Sequence, residues 1–180
     1  MAGVRAILAV SQSLIGILET RYRPDLFDLA LNFRTLSKTE FEQRGLNTGI
    51  SVHLNQMTAY STLPETASRE GDTGKSKYTH LPLELHLVVT IWATDKAKRQ
   101  KIARWVLAAF HKSPILPASM LNTIEDGAFR SDEAFELTPG DPFNKESGKM
   151  GITMGPRWLS IPYVARMVRV EAEEMRRSYA

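Results

Sequence analysis

Leu83-Glu84-Leu85-His86-Leu87-Val88-Val89-Thr90-Ile91-Trp92-Ala93 is the stretch on which the fold turns. Leu83, Leu85, Leu87, Val89 and Ile91 fall on one side of a period-two pattern, and Glu84, His86, Val88, Thr90 and Trp92 fall on the other. Such alternation belongs to a β-strand, because successive side chains of an extended chain point to opposite faces. The second face turns apolar toward its end, so the strand is expected to be central there and covered on both sides.

Downstream, Thr94 and Asp95 supply N-cap residues for a helix running to about His111. Its inner stripe is Ile102, Trp105, Val106, Ala109 and Phe110, and Ser113-Pro114 ends it. A short helical turn at Ala118 to Leu121 and a weaker strand around Phe135 and Leu137 follow. Trp158 to Glu171 alternates again, with Ile161, Tyr163, Ala165 and Met167 on one face. Pro162 has no N–H to give a ladder, which puts its part of that strand at an edge or a bulge. Upstream, Val4, Ile7, Leu8, Leu14, Ile15 and Leu18 form one helical stripe that Pro24 closes. Phe27, Leu29, Leu31 and Phe33 alternate as a strand, as do Ile50, Val52 and Leu54 after Gly49. The polar run from Ser61 to Thr79 and the Gly- and Pro-punctuated run from Pro139 to Pro156 read as exposed loops. The expectation is one α/β (α+β) domain over residues 1–180: a mixed sheet of about four to six strands, with the helices from Val4 and Asp95 packed on it.

Composition narrows the function. The chain has 180 residues, 43% hydrophobic and 24% charged, enough for a single core. No cysteine is present, which removes thiol nucleophiles, thiolate metal sites and redox switches. A net charge of +3 from 23 basic and 20 acidic side chains is too balanced to argue for nucleic acid. Ser11-Gln12-Ser13 interrupts the apolar run Ala6 to Val10 short of a signal-peptide core, and no window reaches the roughly 18 to 20 apolar residues of a membrane span. A protein folding in the cytoplasm, without direct membrane insertion, is expected.

Catalytic motifs are incomplete. Gly74-Lys75-Ser76 matches the end of a phosphate-binding loop, but Arg69 stands where the first glycine belongs, and Tyr78-Thr79-His80-Leu81-Pro82 leads into a strand instead of a helix. Of the four histidines, His53, His80, His86 and His111, no two have helical ligand spacing, and His86 beside Glu84 reads as a surface hydrogen-bonding pair. No Gly-x-Ser-x-Gly elbow occurs. Glu171, Glu173 and Glu174 read as a solvated tail. One feature runs against local physics: Lys96, Lys98, Arg99 and Lys101 crowd the first turns of a helix, where the macrodipole disfavours positive charge. That basic start reads either as a solvated face or as a contact for an acidic protein surface. Nucleic acid is the lesser partner because no aromatics interleave with the charge.

Five blocks in order resemble the cap, or tail-terminator, proteins of phage-tail-like contractile injection systems: the N-terminal helix with Ala6-Ile7 and Val10-Ser11, the strand Ile50 to Leu54, Pro82 to Ala93, Ala109 to Leu116, and Tyr163 to Val170. The likeness spans nearly the whole chain. It departs at Ala59-Tyr60-Ser61-Thr62, where the family carries an Asn-rich turn. It departs again at Pro142 to Gly155, which replaces a short Trp-bearing helix. The resemblance implies a tail-terminator-like fold and a non-enzymatic subunit with no cofactor and no metal. It implies a hexameric ring closing the distal end of the inner tube and holding the last sheath layer. Such a subunit assembles in the bacterial cytoplasm into a particle that is released or membrane-anchored. Candidate contacts to the tube protein, the sheath protein or a neighbouring subunit are Lys75 and Lys77, the helix-start cations Lys96, Arg99 and Lys101, and Arg176 and Arg177. The alternatives are a baseplate or tube adaptor of the same machine and a nucleotide-binding enzyme centred on Gly74-Lys75-Ser76.

Overall fold

A computed structural model describes residues 4–43, 45–59, 83–124, 126–127, 129–131, 133–140 and 152–169. The elements run α1 (Val4–Arg21), a 3₁₀ turn (Pro24–Leu26), β1 (Asn32–Thr35), α2 (Lys38–Gln43), β2 (Gly49–Ala59), β3 (Leu83–Trp92) and α3 (Lys96–His111). They continue with β4 (Ile115–Pro117), α4 (Ala118–Leu121), β5 (Glu133–Pro139), β6 (Thr153–Met154) and β7 (Trp158–Arg169). The strands form one mixed sheet in the order β1-β2-β3-β7-β5-β4, with β6 laid against β7. Only β1 and β2 are parallel; every other pair is antiparallel.

β3 lies between β2 and β7, as its two-sided apolar pattern requires. Leu85, Leu87, Val89 and Ile91 are wholly buried and share one core with Leu14 and Leu18 of α1, Val106 and Phe110 of α3, Leu121 of α4 and Tyr163 of β7. The opposite face is also buried, and there apolar side chains such as Val88 and Trp92 are mixed with polar ones. Ser51, Thr90 and Ser160 stand in register across β2, β3 and β7, none of them exposed. Their hydroxyls are used: Thr90 Oγ1 and Ser160 Oγ lie 2.6 Å apart, and Trp92 Nε1 donates to Ser51 Oγ at 2.8 Å. A hydroxyl row of this kind fills a buried face without leaving unmet hydrogen bonds.

Three sequence expectations change. The alternation from Phe27 to Phe33 does not make a strand. Residues 24–26 form the 3₁₀ turn, Asp28 takes a positive φ of 49°, and β1 starts only at Asn32. Phe27 is drawn into the core beside Tyr22 and Trp105, so tertiary packing of aromatics wins over the local pattern. Next, the run from Pro139 to Pro156 is not all loop, because Thr153 and Met154 pair with Ser160 and Leu159 of β7. Finally, β7 is interior, and Pro162 is an edge residue only locally. β5 reaches as far as Tyr163 and β6 begins at Ser160, so Pro162 occupies the gap between them, where its carbonyl accepts from Gly140 N at 2.8 Å.

α2 went unread in the sequence, yet its signal is there. Ser37-Lys38-Thr39-Glu40 is a capping box: Ser37 N donates to Glu40 Oε2 at 2.8 Å, and Glu40 N donates to Ser37 Oγ at 3.2 Å. The Ser37 backbone N–H, with its hydroxyl, holds the Glu40 carboxyl below the usual carboxylate range. This short helix carries the chain from β1 to the parallel β2, and Gly49 makes the join. Its φ is +149°, and a Cβ there would sit 2.1 Å from the Asn32 carbonyl oxygen, so only glycine fits.

Candidate interaction surface

α3 begins where Asp95 Oδ1 accepts from Lys98 N at 2.8 Å, the capping role its sequence position indicates. The cations that follow do not form one face. Arg99 falls on the stripe of Ile102, Ala103, Val106 and Phe110, and it is buried with them. Its Nη1 donates to the carbonyls of Ala93 at 2.6 Å, Thr94 at 3.1 Å and Pro156 at 2.8 Å. It ties the end of β3 and the start of α3 to the turn before β7. Arg99 is therefore corrected from a surface contact to an internal clamp, and its helical spacing to Ile102 and Val106 is the signal that marks it. Lys101 is exposed, but its head group is used within the chain: Nζ donates to the Leu26 carbonyl and lies 5.7 Å from the centre of the Phe27 ring. Lys96, Lys98 and Arg104 are exposed, and none of them makes an ion pair among the described residues.

Beside these cations runs an open groove of about 510 Å³, lined by Ala97, Gln100, Lys101, Ala103, Arg104, Leu107 and Leu159. Its apolar floor is Leu107, which is 39% exposed, and Leu159 of β7. Lys96 stands one turn ahead of Gln100 and two ahead of Ala103 on the same stripe. The surface thus pairs positive charge with a modest apolar strip. Among the remaining expected contact residues, Lys75, Lys77, Arg176 and Arg177 lie outside the described residues, as does Gly74-Lys75-Ser76.

Two buried polar clusters were not read as such. Glu84, 6% exposed, receives Arg166 Nε at Oε2 (2.6 Å) and faces His86 Nε2 from Oε1 at 3.0 Å, with Thr58 Oγ1 at 3.4 Å from the same nitrogen. The expected surface pair is in fact enclosed in part: Glu84 is buried and His86 partly buried, with Arg166 of β7 in register opposite Glu84. At the other end of that face, Phe41 of α2 covers His53, Trp92 and Trp158, with ring centres at 4.6, 5.5 and 6.2 Å. His53 is 4% exposed and its Nδ1 has no hydrogen-bond partner. Burial lowers its pKa, and Lys38 adds to that. Tyr163 is buried with an unpartnered hydroxyl, and burial raises its pKa. No three His, Asp or Glu side chains gather into a ligand set among the described residues. None of the described helices is long and apolar enough to cross a membrane.

The chain thus combines a mixed sheet, with α1, α3 and α4 against one face and α2 against the other, and a basic surface along α3. Among known families, the chain matches the one described as Pvc16 N-terminal domain over residues 9–178, and it belongs to that family. The family ties the protein to phage-tail-like contractile injection systems. No curated protein matches the chain.

Proposed function

We propose that this protein is the cap, or tail-terminator, subunit of a contractile injection system, forming a hexameric ring that closes the distal end of the inner tube and holds the last sheath layer. The observation that carries this reading is family membership across residues 9–178, almost the whole chain. The ordered core blocks support it, since the strand Leu83–Trp92 and the end of α3 at Phe110 are the elements that build the sheet and its helix layer. The subunit acts by binding and not by catalysis. It assembles in the bacterial cytoplasm with tube and sheath proteins as its partners, and the particle is afterwards released or membrane-anchored.

The test is to delete the gene and image particles by electron microscopy. Tubes of uncontrolled length, lacking density at the distal end, are expected, and complementation with a labelled chain places the label at that end. Label at the baseplate end instead would replace this reading with a baseplate or tube adaptor. Stoichiometric nucleotide binding in solution would favour the enzyme centred on Gly74-Lys75-Ser76.

A further inference from the structure

The groove on α3 has a complement in the same chain. Residues 170–175 read Val-Glu-Ala-Glu-Glu-Met, three carboxylates interleaved with three apolar side chains. The groove offers the counterpart: Arg104 in its lining and Lys96 just beyond its end, one turn before Gln100, both cations without ion pairs among the described residues, and an apolar floor of Leu107 and Leu159. That floor distinguishes an acidic peptide from nucleic acid, whose phosphates gain nothing from leucine. Of the aromatics of α3, Trp105 is turned to Tyr22 and Phe27 and Phe110 is buried against Tyr163, and neither lines the groove to stack a base.

A chain's own segment does not reach its own groove. Leu159 lines the groove, and Tyr163 meets Phe110 near the end of α3 with ring centres 5.1 Å apart, so β7 runs alongside α3 in the same direction. From Tyr163 the strand continues to Arg169, roughly 20 Å further on. The groove's centre near Ala103 lies roughly 10 Å back along the helix from Phe110, hence about 30 Å from Arg169. Between Arg169 and Glu174 the chain spans at most about 18 Å. The acidic segment therefore meets this groove only on another copy.

We propose that residues 170–175 of one subunit lie in the α3 groove of the next, with Glu171, Glu173 and Glu174 toward Lys96 and Arg104 and an apolar neighbour on Leu107 and Leu159. Such a contact joins two different patches, and a head-to-tail contact that repeats closes into a ring when the rotation allows. The proposal goes beyond the cap reading and is independent of it: a chain that did not cap tubes would still self-associate this way.

The absence of native cysteine makes the test direct. E173C and R104C variants of the full chain, each checked for native circular dichroism, are mixed and oxidised. A disulfide-linked heterodimer is expected well above the yield from E173C with T39C, since a disulfide forms only when the Cα atoms approach within about 7 Å. Separately, K96E/R104E is expected to abolish self-association in sedimentation velocity, and adding E171K/E173K/E174K to the same chain restores it. Equal cross-linking to Thr39 and Arg104 positions would overturn the proposal, as would a disulfide confined to single chains when E173C and R104C are placed together in one chain. A wild-type chain monomeric at every concentration overturns it too, as does K96E/R104E losing duplex DNA binding with sedimentation unchanged.

Discussion

Arg99 shows how one residue's position on a helix outweighs its charge. Its guanidinium serves three carbonyls from two segments of chain, so truncation leaves acceptors unmet in a site that water does not freely enter. Arg99→Ala should lower stability by about 2 kcal/mol or more in urea unfolding, whereas Lys96→Ala, exposed and unengaged, should change it by no more than about 0.5 kcal/mol. Arg99→Lys should recover only part of the loss, because the shorter lysine side chain does not bring its ammonium as far as the Nη1 position that serves all three carbonyls. His53 gives the second residue-scale expectation. Its folded pKa lies below the ordinary imidazole value of 6.5, burial being the main cause, so the unfolded chain binds the proton more readily. The stability His53 contributes is therefore complete above about pH 6.5 and declines as pH falls from there toward its folded pKa. Comparing wild type with His53→Phe in urea at pH 7.5 and 5.0 isolates this: the wild type should lose more stability on acidification than the variant. An equal loss in both would assign the acid sensitivity to groups other than His53.

At the scale of elements, α3 is held on the sheet by residues of unequal weight. Phe110 is 2% exposed and meets Tyr163 edge-on, so Phe110→Ala should cost about 3 to 5 kcal/mol. Trp105 is half-buried against Tyr22 and Phe27, away from the sheet centre, and its truncation should cost roughly half as much. Thermal midpoints of the two variants check the order, and a larger drop for Trp105→Ala would reverse the assignment of the inner face. Much of this layer was legible in the sequence, because β3, α3 and α4 carry clean periodicities set by one-sided burial. The β1 region was not, since an aromatic cluster overrides its alternation, and β6 is too short for any pattern to register. The basic helix start was legible as charge but not as geometry. Nothing in four neighbouring cations separates Arg99 from Lys96 until the helical phase of Ile102 and Val106 is laid beside them.

For the molecule as a whole, the informative segment is the connection between β2 and β3. Ala59 and Leu83 are register partners at the end of an antiparallel pair, a gap that a two-residue turn closes. The chain has residues 60–82 at that point, which include the expected contact residues Lys75 and Lys77 and lie outside the described residues. Long connections kept in a small domain generally carry function. Replacing residues 61–81 with a short Gly-Ser turn should leave circular dichroism intact and raise stability by about 1 kcal/mol, because closing a shorter loop costs less entropy. Particle assembly should respond oppositely. Under the cap reading, the shortened chain should yield fewer length-terminated particles in electron micrographs, since single exposed lysine contacts are weak but are repeated around a ring. The two readouts separate the causes of failure: lost termination in a stable variant assigns the segment to tube, sheath or neighbour contact. Normal termination would move that contact to the basic surface of α3 or to Arg176 and Arg177, where charge reversal is the next substitution to count.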